Sequence, residues 1–170
     1  PKVMTAAEED SLADLEAGLN RIAREMRGRG IKIVFQSHNP FMRESGCTPD
    51  IAKPQWFKLS ERAGCVYYTK AESLQRMAQL HATLDRVRHA NPNFFLLDLF
   101  SVLCPGNICG FFSDYRTPLY RDEWSHMSVE AAYLARPVFL QTAQEALVSP
   151  ADATRTGKVP TSGGPAGAAP

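Results

Sequence analysis

The sequence lacks the charge imbalance and the long apolar runs that mark several functional classes. Its 19 Lys and Arg residues nearly balance 18 Asp and Glu residues, which leaves a net charge of +1. This balance gives no electrostatic case for binding nucleic acid or an anionic membrane. No apolar run approaches the roughly 20 residues that a transmembrane helix needs. The remaining composition, 44% hydrophobic and 22% charged over 170 residues, is typical of one globular domain with a real core.

The sequence also lacks the short motifs that carry the commonest zinc and serine chemistry. None of its four cysteines forms a CxxC pair, which disfavours a zinc site. No Gly-x-Ser-x-Gly elbow and no Gly-Asp-Ser motif occurs in the 170 residues. The chain therefore offers no recognisable serine nucleophile, and this absence limits any catalytic interpretation.

The four cysteines fall into two local pairs. Cys104 and Cys109 flank a Pro-Gly turn that could bring their sulfur atoms together, and Cys47 and Cys65 bracket a loop rich in Pro, Lys and Ser. Local pairs of this kind predict two disulfides and an oxidising compartment. The alternative is four reduced thiols in a cytosolic protein.

The apolar pattern predicts helix, strand, helix, strand and helix, in that order. Apolar residues at helical spacing predict helices over residues 5–27 and 69–90, and each begins with a capping box. Apolar runs predict buried strands at Ile31–Phe35 and Phe94–Phe100. Ser128 is the predicted cap of a third helix. This alternation predicts an α/β fold, with a parallel sheet flanked by helices.

The predicted elements also set the organisation of the chain. Two strands cannot make a stable doubly covered sheet, so we expect residues 1–148 to be the C-terminal part of a domain that is incomplete at its N-terminus. Residues 40–68 form a long irregular loop, which is typical of a functional or tied-down segment. Pro137 is expected to kink or restart the third helix. The tail over residues 149–170 is rich in Gly, Pro and Ala, which predicts disorder.

A nine-residue segment, Tyr120–Ser128, carries the clearest chemical signal. Asp122 and Glu123 stand four and three residues before His126, and the predicted helix follows at once. A histidine that moves a proton needs a carboxylate to hold one tautomer and to stabilise its charged form. His126 with Asp122 or Glu123 is therefore the candidate catalytic pair. The alternative is an exposed or hydrogen-bonded histidine with a purely structural role.

A second candidate segment is Ser37-His38-Asn39, directly after the first strand. Ligands of open α/β sheets bind beyond the carboxyl ends of the strands, so His38 is a candidate for substrate contact. A solvated loop histidine is the alternative.

Four stretches of the sequence together resemble the SGNH/GDSL hydrolase superfamily, and more narrowly the SGNH domain fused to membrane acyltransferase-3 proteins. GIKIVFQSHNPF resembles the family's central strand and proline-containing loop, and Cys47 and Cys65 resemble its first cysteine pair. FFLLDLFSVLCPGNIC resembles the strand, Asp and cysteine loop before the last motif. PLYRDEWSHMSVEAA resembles the terminal Asp-x-x-His block. The resemblance covers about residues 5–146.

The resemblance implies a flavodoxin-like three-layer sandwich and serine-type acyl transfer without a cofactor. On the matching motif, His126 takes a proton from the serine and returns it. The family spacing places the acid three residues before the histidine, which is Glu123 here, whereas Asp122 is the residue type that the family uses. We prefer Asp122, because a turn can absorb one inserted residue. The family's serine and oxyanion-binding blocks would lie upstream, so this chain is expected to carry half a site.

The resemblance also implies partners and a location. We expect an acyl donor, a cell-surface glycan acceptor, an upstream acyltransferase membrane domain in the parent protein, and no nucleic acid. The expected location is periplasmic or otherwise extracytoplasmic, with a tether to the inner membrane. Two other interpretations stay open. One is a non-catalytic SGNH-like binding or accessory module without the serine, and the other is an unrelated α/β domain in which His126 and the cysteines are structural.

Overall fold

The computed structural model describes residues 6–42, 48–52, 66–113, 117–122 and 126–149. The predicted order of long helices and strands is present, with short elements between them. The helices are α1 (Ala6–Gly28), α2 (Pro49–Ala52), α3 (Lys70–Ala90), α4 (Phe100–Leu103) and α5 (Val129–Val148). The strands are β1 (Ile33–Gln36), β2 (Phe94–Leu97), β3 (Phe112–Ser113) and β4 (Thr117–Pro118).

The two main strands pair in parallel, as predicted. The register runs from Ile33 opposite Phe94 to Gln36 opposite Leu97. The second strand is shorter than predicted, because Asp98 ends it. The Asp98 Oδ1 atom accepts a hydrogen bond from the Phe100 backbone N–H at 2.9 Å, and the chain turns there into α4. An apolar run alone cannot distinguish a buried strand from a buried helical turn.

Helices lie on both faces of this parallel pair. On one face, α1 and α3 form a core with the sheet that contains Ala23, Val87 and Phe94. On the other face, α5 packs against both strands, and its Ala135 belongs to the same core as Leu97. The helix–sheet–helix layering confirms the predicted α/β class.

The capping box at the start of α3 is present as predicted. The Thr69 Oγ1 atom accepts from the Glu72 backbone N–H at 3.2 Å, and Glu72 Oε2 accepts from the Thr69 backbone N–H at 2.8 Å. These hydrogen bonds hold the pKa of Glu72 below its ordinary value. The capping box predicted for the first helix includes Thr5, which lies outside the described residues.

The final helix runs without interruption through Pro137, which excludes the predicted restart, while the kink stays a prediction. Proline removes one backbone donor from a helix. Here packing of the buried face of the helix stabilises it. The buried residues are Ala131, Ala135, Thr142 and Ala146. At the far end, Lys32 Nζ donates to the Ser149 carbonyl oxygen at 2.9 Å.

The predicted loop at 40–68 is described only in part, and it contains the short helix α2. Tyr67, near the end of this segment, contacts Phe111 edge-to-face, with ring centroids 6.2 Å apart. Phe41, near its start, is 43% exposed. Cys47, Cys65 and the predicted tail from residue 150 onward lie outside the described residues. Within the described part of the chain, no helix has the length and apolarity to cross a membrane.

Candidate active site

The candidate histidine lies on a small antiparallel ribbon that leads into α5. Residues Phe112–Ser113 pair with Thr117–Pro118 to form the first part of this ribbon. The chain then pairs with itself again, because the Arg121 backbone N–H donates to the His126 carbonyl at 3.0 Å and Tyr120 forms a bridge with Met127. These two pairings bring Tyr120 and Arg121 beside Met127 and His126.

Asp122 contacts His126 through both of its carboxylate oxygens. The Asp122 Oδ2 atom lies 2.7 Å from the His126 Nδ1 atom, and Asp122 Oδ1 accepts from the His126 backbone N–H at 3.2 Å. An ionised carboxylate can only accept, so the pairing assigns the proton to Nδ1 and leaves Nε2 as the acceptor. The side chain of Asp122 is 26% exposed and that of His126 is 58% exposed. The imidazole is therefore oriented by a carboxylate that is largely shielded from solvent, while the ring itself is accessible to a substrate.

The second candidate acid cannot be placed beside this pair. Glu123 and Ser125 lie outside the described residues, whereas Asp122 occupies the Nδ1 side of the ring. Arg121 approaches the same carboxylate, with its Nε atom 3.4 Å from Asp122 Oδ2. Arg121 was not predicted as part of the site, although a cation next to a candidate acid in sequence is a signal that could have indicated it.

Ser128 fixes the junction between the ribbon and α5. Its Oγ atom accepts from the Ala131 backbone N–H at 2.9 Å, which confirms the predicted cap. The same hydroxyl donates to the Pro118 carbonyl at 2.5 Å, and the Ser128 backbone N–H donates to the Leu119 carbonyl at 3.0 Å. The second role was missed, because it depends on a tertiary contact ten residues away in sequence.

A buried disulfide precedes the ribbon in the chain. Cys104 and Cys109 are joined as predicted, with Cα atoms 4.7 Å apart, and both residues are fully buried. Phe111 lies two residues after Cys109 and packs edge-to-face against Tyr120, with ring centroids 6.4 Å apart. Burial raises the pKa of the Tyr120 phenol, which therefore stays neutral.

An open apolar groove of about 630 Å³ begins at Met127, the residue after the histidine. It runs between the carboxyl ends of β1 and β2 and one side of α5. Its lining includes Gln36, Leu97, Leu99, Val129, Tyr133 and Phe139. Carboxyl ends of parallel strands are where α/β sheets bind ligands, and the groove at these ends is lined by Met127, the neighbour of His126 in sequence.

The other candidate segment, after β1, also lies at this edge. The His38 Nδ1 atom lies 2.7 Å from the Asn39 carbonyl oxygen, and the ring stacks on Phe41 at a centroid distance of 5.9 Å. Ser37 is buried and its Oγ atom donates to Asp98 Oδ1 at 3.4 Å. The contacts of His38 with Asn39 and Phe41 are local, and substrate contact stays a prediction.

Comparison with known protein families identifies a family that matches most of this chain. The family model described as "SGNH domain (fused to AT3 domains)" matches residues 2–141. No curated protein and no solved structure matches the chain. The match includes the parallel strands, the disulfide loop, and the turn that carries Asp122 and His126. The chain therefore belongs to the family of SGNH domains that are fused to AT3 domains, a family with a hydrolase-like or acyltransferase-like role.

Proposed function

We propose that this chain supplies the histidine and acid of a serine-type acyl-transfer site. The observation that carries the proposal is the hydrogen bond of 2.7 Å between His126 Nδ1 and Asp122 Oδ2. It leaves Nε2 of an exposed ring as a proton acceptor. Family membership supports an acyltransferase or esterase as the class of enzyme.

The proposed reaction needs a serine from outside these 170 residues, because the sequence contains no serine motif of this class. That serine attacks the acyl carbonyl, and Nε2 of His126 accepts the proton of its hydroxyl group. The imidazolium then donates this proton to the departing oxygen of the acyl donor. Asp122 stabilises the imidazolium charge and holds the ring during both steps. A sugar hydroxyl or water, deprotonated by the same histidine, attacks the acyl-enzyme and releases the serine.

The proposed biological reaction is O-acetylation of a cell-surface glycan. The fusion that characterises the family supports an AT3 membrane domain as the partner that provides the acyl group. An extracytoplasmic location is consistent with the Cys104–Cys109 disulfide, because disulfides persist in oxidising compartments.

A second candidate function is a non-catalytic binding or accessory module of the same family. It applies if the full-length protein carries no Gly-Asp-Ser motif, since a module that does not catalyse needs no nucleophile. The two functions differ in what His126 contributes. In the enzyme, His126 carries a proton during the reaction. In the module, which catalyses no reaction, His126 has no such role.

The experiment that separates them is replacement of His126 by Ala in the full-length protein, with turnover of p-nitrophenyl acetate as the assay. We expect a loss of at least about 100-fold in kcat, because a general base contributes about 10²–10⁴-fold. Folding should be retained, since the ring is exposed and packs little. His89→Ala is the matched control, because His89 is an exposed histidine on α3. Full activity of His126→Ala would remove the catalytic proposal and leave the module.

A further inference from the structure

We infer that the Cys104–Cys109 disulfide is a positioning device for His126 and not only a source of stability. The inference rests on the proposed function of the histidine. The observation behind it is a continuous chain of short contacts from the end of β2, through the disulfide, to the turn that holds Asp122 and His126.

The first step joins the sheet to the start of the ribbon. Cys104 follows α4 directly and its backbone N–H donates to the Phe100 carbonyl at 2.8 Å. Its disulfide partner Cys109 begins the segment that becomes the ribbon. Cys109 is also held from outside, because its backbone N–H donates to the Tyr68 carbonyl at 3.0 Å. The disulfide thus connects the ribbon covalently to the element that ends the parallel sheet.

The second step passes through Phe111, which is fully buried. Its carbonyl oxygen accepts from the Leu119 backbone N–H at 2.7 Å and lies 3.4 Å from the Tyr120 nitrogen. Its ring packs between Tyr67 and Tyr120, edge-to-face with each. A close-packed ring of this kind transmits a displacement, because protein interiors have few voids to absorb it. Any shift of residue 109 is therefore passed to residues 119 and 120.

The third step reaches the histidine. Leu119 accepts from the Ser128 backbone N–H at 3.0 Å, and Arg121 donates to the His126 carbonyl at 3.0 Å. Asp122 follows Arg121, which is bonded to His126, so a displaced ribbon moves the pair together and keeps its hydrogen bond. The disulfide therefore sets where the pair stands at the sheet edge, while the turn sets the geometry within the pair.

The distinction between positioning and stability has a measurable consequence. A catalytic group misplaced by about 1 Å can cost on the order of 10²-fold in rate. We therefore expect the double variant Cys104→Ala, Cys109→Ala to lose about 10- to 100-fold in kcat for p-nitrophenyl acetate. KM should change by less than about twofold, because the variant removes no group that faces the groove. The ¹⁵N shifts of the His126 ring should still report the Nδ1-protonated tautomer.

The control separates lost packing from lost positioning. Val87→Ala also removes a fully buried side chain, but from the core between α1, α3 and the sheet. It should lower stability and leave kcat unchanged. If the cysteine double variant does not fold, Phe111→Leu tests the same path with the disulfide intact, and we expect kcat to fall while KM is kept.

Two results would overturn the inference while leaving the proposed function in place. One is an unchanged kcat in the folded cysteine variant, or in Phe111→Leu if that variant is used, while His126→Ala is inactive. The other is an equal loss of kcat in Val87→Ala, which would assign the effect to stability alone. If His126→Ala itself retains full activity, it is the proposed function that fails.

Discussion

Asp122 holds both the ring and the backbone of His126, four residues farther along the chain. Its Oδ2 atom lies 2.7 Å from Nδ1 of the ring, and its Oδ1 atom lies 3.2 Å from the backbone nitrogen. The carboxylate therefore closes the turn and orients the imidazole at once. These two tasks can be separated, because only the second one requires a negative charge.

Replacing Asp122 by Asn should preserve the turn and remove the charge. The amide oxygen can still accept from the His126 backbone N–H, but the amide nitrogen facing Nδ1 is a donor. The ring would then take the other tautomer, with its proton on Nε2, and could not accept from a serine. We expect kcat to fall by about 10²–10⁴-fold, measured on p-nitrophenyl acetate in the full-length protein, with the tautomer read from ¹⁵N shifts.

Two controls make this prediction specific. Asp85→Asn removes an exposed carboxylate that pairs with Arg88 on α3, and it should leave kcat within about twofold, since surface pairs contribute little. Glu123→Gln should also have a small effect, because a single carboxylate suffices to orient the imidazole. A large loss for Glu123→Gln and a small one for Asp122→Asn would reverse the assignment of the acid.

The pH dependence of stability should contain a contribution from Glu72. Its backbone and side-chain hydrogen bonds with Thr69 hold the pKa of its carboxyl group below the ordinary value of 4.5. A lowered folded pKa means that the unfolded state binds the proton first, so this contribution is present above pH 4.5 and is lost as the pH falls through the lowered value. Glu72→Gln should therefore flatten the acid limb of the stability curve, measured by urea unfolding between about pH 6 and pH 3.

The matched control for this effect is Glu130→Gln. Glu130 also lies in the first turn of a helix, but the third helical residue of α5 is Ala131, so no capping box can form there. This variant should leave the acid limb close to that of the wild type. Equal flattening in both variants would show that general charge removal, and not the capping box, explains the slope.

The long elements could be predicted from the sequence because each has a local cause. The capping box of Thr69 and Glu72 and the apolar spacing after it are properties of neighbouring residues, and they placed α3 correctly. The end of β2 was misplaced because the apolar run continues through Phe100, while the hydrogen bond that stops the strand comes from the side chain of Asp98. Side-chain caps of this kind compete with strand pairing and leave little trace in hydrophobicity.

The spacing of acid and histidine is a local feature, and it made His126 with Asp122 or Glu123 the candidate pair. The structure shows a contact between Asp122 and His126, while their catalytic role stays a prediction. The support of this pair could not be predicted. The ribbon behind them consists of bridges one or two residues long. Pairing that short is set by tertiary neighbours such as Phe111, and strand propensity does not specify it. The same reason explains why the bond from Ser128 to Pro118 was not foreseen.

The last prediction separates the two roles of the Ser128 hydroxyl. It caps α5 by accepting from Ala131 and clamps the ribbon by donating to Pro118. Ser128→Ala removes both bonds, and we expect a loss of about 2 kcal/mol in the free energy of unfolding, from a missing cap and an unpaired carbonyl. Ser128→Thr keeps both bonds and should retain stability and kcat.

Ser128→Asp is the informative variant, because an ionised carboxylate can cap the helix but cannot donate to the Pro118 carbonyl. Its stability in urea unfolding should lie between those of the Thr and Ala variants, since the cap is kept while two oxygens face each other at the clamp. We expect kcat to fall in Ser128→Ala and to fall equally in Ser128→Asp, because both lose the bond to the Pro118 carbonyl, and residue 128 lies two positions from His126. Wild-type kcat in a folded Ser128→Asp protein would show that the cap alone positions the histidine.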